Sequence, residues 1–206
     1  MAKHVASTET LKEFELTLVV YDQRDPLGFV LALITLTPRD LDAFAALVGQ
    51  LANEVLNQVL KRTIQQSRPV GARKGGAGMP SAHAQFVAFF AAYVIAYTYK
   101  RLNEHRRLEQ LLTIASAAVL AVAVCFSRVR LGYHTKEQVV VGALVGTCVG
   151  LLWHSFIAKI SVWLFPLVAQ SQLGQSLYVR DISAIPDLIV YQHQLCHPPA
   201  EAAKRD

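Results

Sequence analysis

The chain has 206 residues, of which 53% are apolar and only 17% charged, where soluble domains carry about 25% charged residues. That balance excludes a disordered chain, which needs few apolar residues and many charges, and the length suits a single domain. The net charge of +5 leaves nucleic acid, anionic lipid and phosphorylated substrates as candidate partners.

Residues 1–26 form an N-terminal segment in which polar and apolar residues alternate and Glu9, Glu13 and Glu15 recur. No cleavable signal peptide is expected there, so membrane insertion is expected to use internal segments. Residues 27–37 are apolar but short, and Pro38, Arg39 and Asp40 interrupt them. Residues 41–60 predict a helix with Asn53, Glu54, Asn57 and Gln58 among its apolar positions. It is either a polar-faced span packed inside a bundle or an interfacial helix.

Three runs follow, at residues 84–99, 111–126 and 139–157; the first two carry no charge and the third only His154. Soluble helices normally keep a polar face. These runs have none, and they are read as membrane spans. Gly142, Gly146 and Gly150 recur every four residues, a stripe suited to close helix contact. The tail from residue 170 is polar, with a short apolar piece at 185–191 expected at the surface. Cys125, Cys148 and Cys196 stand too far apart for a disulfide scaffold. His193, Cys196 and His197 have a loose metal-like spacing, but no fourth ligand is evident.

Charge is concentrated beside these runs. Between residues 61 and 83 stand Lys61, Arg62, Arg68, Arg73 and Lys74 with no acid, equal to the whole surplus of +5. Residues 127–136 hold Arg128, Arg130 and Lys136, again without an acid. Two crossings separate the clusters, so both face one aqueous surface. Neither is a long basic face with stacking aromatics, and nucleic acid is excluded. The opposite loop holds Lys100, Arg101, Arg106 and Arg107 and suits a cytoplasmic face.

Within the clusters, Lys61 and Arg68 are seven residues apart, a spacing that would share one helix face before Pro69 turns the chain away. Their cations could converge on one anion. The segment G-A-G-M-P-S-A-H precedes a helix whose free amides favour phosphate. Ser81 is the expected N-cap, and His83, in the first turn, could donate a proton to a leaving oxygen. Arg128 offers a second phosphate fork. Gln138 stands four residues after His134, one helical turn away. Its carbonyl could accept from one imidazole nitrogen and leave the other as a nucleophile. Two histidines and three cations without an acid pair point to a reaction at phosphorus. The only acids between Glu54 and Glu137 are Glu104 and Glu109 on the other side, so no metal or other cofactor is expected.

These residues resemble the three-part signature of the type 2 phosphatidic acid phosphatase superfamily: K-x6-R-P at Lys61, Arg68 and Pro69; P-S-x-H at Pro80, Ser81 and His83; and S-R-x5-H at Ser127, Arg128 and His134. The resemblance implies an all-α, polytopic transmembrane helical bundle forming one domain over residues 1–206. It also implies a phosphohistidine on His134, His83 as the acid, and Lys61, Arg68, Ser81 and Arg128 around phosphate. The superfamily usually has Asp where this chain has Gln138. Gln there, with P-S-x-H-x-Q-F, L-G-Y-H-T, N-E-V-x-N and R-D-I-S-A-I-P, is similar to the dolichyldiphosphatases. That family implies a polyprenyl diphosphate substrate in the endoplasmic reticulum membrane, a luminal active site and a role in recycling the N-glycosylation carrier. The family normally carries a longer apolar stretch after L-T-P, so one crossing is expected to be shortened here. Two other readings are a broader lipid phosphate phosphatase and a non-catalytic protein that binds anionic headgroups.

Overall fold

The computed structural model describes residues 39–72, 75–101, 106–183, 185 and 188–197. The N-terminal segment, the apolar residues 27–37 and the corner at Pro38 lie outside the described residues. Every regular element among the described residues is helical: α1 (Leu41–Ile64), α2 (Ala82–Arg101), α3 (Arg107–Arg130), α4 (Lys136–Gln170), α5 (Gln172–Ser176) and α6 (Leu188–Cys196).

Helix α1 starts where Asp40 accepts from the Asp42 amide at 3.0 Å, a side-chain cap for an otherwise unpaired donor. Its buried residues Leu41, Ala45, Gly49, Asn53 and Asn57 recur every fourth position. That stripe turns Asn53 and Asn57 inward, while Gln58 stays exposed and Glu54 is half-buried. The helix ends at Ile64 because Gln65 turns left-handed at φ 50°. Arg68 therefore does not share a helix face with Lys61, contrary to the seven-residue spacing. The chain folds back instead, with the Gly78 amide donating to the Gln66 carbonyl at 2.7 Å.

Helix α2 is the centre of the bundle. Ala84, Gln85, Val87, Ala88, Phe89, Ala91, Ala92 and Tyr93 are all buried. Helix α4 runs parallel to it in close contact through the glycine stripe. A Cβ on Gly142 would lie 2.7 Å from the Ser81 carbonyl, one on Gly150 2.7 Å from that of Phe89, and one on Gly146 would fall on that of Gln85. Small residues let the two backbones approach. From the start of α2 to the start of α4 the chain runs the length of the bundle twice, along α2 and back along α3, and so brings both starts to one end.

Two of the three expected spans, α3 and α4, are long and apolar enough to cross a membrane. In α3 only Ala117 is buried, while Leu111, Val119 and Val122 are exposed at 63%, 67% and 69%. A face like that is suited to lipid rather than water. The remaining run, in α2, buries nine of its helix's residues within the protein.

At the far end Arg101 donates to the carbonyls of Ser183 at 2.7 Å and Ile182 at 2.5 Å and pairs with Asp42 at 3.8 Å. Part of the expected surface tail is thus tied into the fold, with Ile182 buried. Helix α6 begins within the apolar piece at 185–191, and its Val190 and Tyr191 are exposed. Asp40, which looked like an interruption of an apolar run, caps α1, and Asp42 anchors Arg101.

Candidate active site

The start of α4 carries the most tightly constrained group. Thr135 caps the helix, accepting from the Gln138 amide at 3.3 Å, while the Gln138 side chain accepts from the Thr135 amide at 3.3 Å. This reciprocal pair is a capping box. The same Oε1 of Gln138 faces Nδ1 of His134 at 3.1 Å, the contact expected from their spacing. The other half of the amide is held too. Nε2 donates to the Ser67 carbonyl at 2.8 Å and faces Oε1 of Gln66 at 3.4 Å. Both partners come from the loop between α1 and α2, and nothing in the motif spacing announced them. Gly78 closes over the amide, since a Cβ there would lie 2.6 Å from Oε1.

His134 and Gln138 are both buried. Burial pushes the His134 pKa below the ordinary histidine value, and the nearby charges of Arg68 and Lys61 push it the same way. Hydrogen bonds to Gln138 and the Gly78 backbone oppose the shift. The net direction favours neutral imidazole over imidazolium. Arg68 and Lys61 both act on His134, so the turn after α1 brings together two cations that a continuous helix would have placed two turns apart.

Ser81 is fully buried. Its amide donates to the Gln138 carbonyl at 3.0 Å, joining the starts of α2 and α4. Its hydroxyl, expected to cap α2, has no hydrogen-bond partner among the described residues, and neither does Nε of Arg68. Buried donors left unpaired cost about 1–3 kcal/mol each, and both suit an incoming anion. His83 stands two residues further on, on the exposed side of the first turn of α2. Arg128 is half-buried in the last turn of α3, its guanidinium 5.3 Å from the Tyr133 ring centroid. Nε of Arg128 also donates to the Ser127 hydroxyl at 3.2 Å. The sequence reading missed Tyr133 as a platform, although the G-Y-H run held the signal.

An apolar groove of about 640 Å³ between α2, α3 and α4 is lined by Ala88, Ala92, Ala121, Val129, Lys136 and Ala143; Arg128 and His134 do not line it, but each is within two residues of a lining residue in sequence. The site therefore combines unpaired buried donors with a buried imidazole whose pKa is lowered.

The family model described as the PAP2 superfamily matches residues 42–161, a span that contains all of these groups. The chain belongs to the PAP2 superfamily. This PAP2 phosphatase is 35% identical over 198 residues to Dolichyldiphosphatase 1 of Dictyostelium discoideum, covering 87% of the chain and 86% of that protein. It is 33% identical over 222 residues to lipid phosphate phosphatase gamma of Arabidopsis thaliana, covering 96% and 95%. Among solved structures it resembles a transmembrane PAP2-type phosphatidylglycerolphosphate phosphatase from Bacillus subtilis, with a TM-score of 0.55 and 26% identity over 66% of this chain and 73% of that one. The PAP2 phosphatase is thus a membrane-embedded helical enzyme whose matched region begins at the start of α1.

Proposed function

We propose that the protein removes the terminal phosphate of dolichyl diphosphate, giving dolichyl phosphate and inorganic phosphate. The observation that carries this reading is the buried His134 held by Gln138, with the unpaired donors of Arg68 and Ser81 close to it in the fold. Likeness to a dolichyldiphosphatase over most of both chains supports the substrate, and the groove lined by Val129 and Lys136 suits the first isoprene units.

In this reading the free imidazole nitrogen of His134 attacks the terminal phosphorus. An N–P bond forms as the anhydride P–O bond breaks. His83 gives its proton to the departing dolichyl phosphate oxygen. Lys61, Arg68, Arg128 and Ser81 hold the equatorial oxygens as their charge is redistributed. Water, losing a proton to His83, then opens the phosphohistidine and releases phosphate. The active site faces the lumen of the endoplasmic reticulum, where the product re-enters the carrier cycle of N-glycosylation.

The likeness to a lipid phosphate phosphatase of similar extent favours a second reading, turnover of phosphatidate or other prenyl diphosphates. Phosphate release from dolichyl diphosphate and phosphatidate in EDTA separates the two, and equal turnover defeats the narrow substrate claim. Acid-labile phosphate trapped on wild-type protein and absent from His134→Ala tests the covalent step.

A further inference from the structure

Hydrolysis makes no evident use of three side-chain amides between α1 and α2. Asn53 and Asn57 are each 1% exposed and Gln85 is 0% exposed. Gln85 Nε2 donates to the Asn53 carbonyl at 3.0 Å and to Asn53 Oδ1 at 2.9 Å. Asn57 Nδ2 donates to Gln85 Oε1 at 2.7 Å and reaches toward the Pro80 carbonyl at 3.5 Å. Apolar residues would fill the same space without hydrogen bonds to satisfy. A connected amide network instead fixes one alignment of two helices, because a slip by one turn strands its members.

Both networked faces point to the phosphate end. On α1 the buried stripe passes from Asn53 to Asn57, and its next four-residue step is Lys61. On α2, Gln85 follows Ser81 by one turn, and its amide donates to the Ser81 carbonyl at 2.9 Å. Asn57 Oδ1 is buried with no hydrogen-bond partner, one of three such atoms among the described residues, with Arg68 Nε and Ser81 Oγ. Lys61 stands one turn beyond Asn57 on α1, its ammonium making no hydrogen bond to Oδ1 in the structure, and helical side chains lean toward the helix N-terminus, the direction in which Asn57 lies. An ammonium is the donor that this acceptor lacks.

We propose that Asn57, clamped by Gln85, is a positioning residue for the phosphate site. It fixes α1 against α2, steadies the Pro80–Ser81 backbone and offers Oδ1 to the Lys61 ammonium. The proposal rests on Lys61 and Ser81 being phosphate ligands.

Inorganic phosphate binding to the full chain in detergent tests it without lipid turnover. Asn57→Ala and Gln85→Met should each raise the dissociation constant by about tenfold, an effect the size of one charge-assisted contact. Adding Lys61→Met to Asn57→Ala should cost much less than Lys61→Met costs alone, since coupled residues are not additive. The exchange Asn57→Gln with Gln85→Asn, which keeps both amides, should recover most of the affinity. A merely structural role would lower the unfolding temperature and leave phosphate affinity unchanged. If Asn57→Ala does not fold, Gln85→Met carries the same comparison. Affinity within twofold of wild type in a folded variant overturns the proposal, as does wild-type protein that binds no phosphate. Wild-type protein that binds phosphate but leaves dolichyl diphosphate intact defeats the substrate reading alone.

Discussion

Nδ1 of His134 and Oε1 of Gln138 lie 3.1 Å apart, and the Gln138 amide is itself fixed by the Ser67 carbonyl. The imidazole is oriented by a neutral acceptor that cannot rotate away. Burial and two nearby cations hold its pKa below the ordinary value, so the neutral form persists as pH falls below about 6.5. The acidic limb of kcat/KM should therefore lie below that pH. Gln138→Glu places a negative charge where Oε1 stands, favours imidazolium and should move the limb upward by about one unit or more. A pH–rate profile reads the shift directly, and an unmoved limb contradicts the proposed orienting contact. Stability follows the same sign. The depressed folded-state value contributes stability above the unfolded-state pKa, lost as pH falls through the folded one.

Arg128 lies against the Tyr133 ring at 5.3 Å, which orients its guanidinium. Arg128→Lys keeps the charge but removes the planar fork and most of the stacking. A fall in kcat/KM of about tenfold or more is expected, with the same direction and a smaller size for Tyr133→Leu. Steady-state kinetics on dolichyl diphosphate check both, and an Arg128→Lys variant at wild-type kcat/KM contradicts a bidentate role.

Gly146 is where α4 meets α2 most closely, and a methyl group there would fall on the Gln85 carbonyl. Gly146→Ala should destabilise the fold by about 1–3 kcal/mol, the usual cost of overpacking, because a backbone atom cannot rotate aside. Thermal unfolding in detergent measures this. Activity should fall as well, since Gln85 and Ser81 lie on the displaced face.

Asp40 caps α1 through the Asp42 amide. Asp40→Ala should cost about 0.5–2 kcal/mol of stability and leave KM unchanged, because α1 begins at the end remote from Lys61. A large rise in KM would show that the two ends of α1 are coupled more tightly than the cap geometry implies.

Much of this was legible in residue order. The glycines at 142, 146 and 150 forecast a close helix contact because only small side chains admit one. The four-residue step from His134 to Gln138 forecast their hydrogen bond because a helix repeats every 3.6 residues. Periodicity failed where the helix stopped. Arg68 was placed on α1, but the chain turns at Gln65 and folds back through Gly78. Ser81 was read as a cap because serine often caps, yet its hydroxyl has no partner among the described residues. Asn53, Asn57 and Gln85 were visible as motif residues, but their mutual contacts join positions 28 and 32 residues apart.

The sequence by itself determined a membrane chemistry. A 53% apolar composition supplies the helices, and the cations are concentrated around two histidines, since charge and apolar area are properties of residues in order. Only the tertiary structure decided which groups meet. Parallel packing of α2 on α4 brings Ser81 to Gln138, and the left-handed turn at Gln65 brings Arg68 to the neighbourhood of His134. Burial then depresses the His134 pKa. Those outcomes depend on contacts between distant segments and on exclusion of water, and neither is encoded in local spacing.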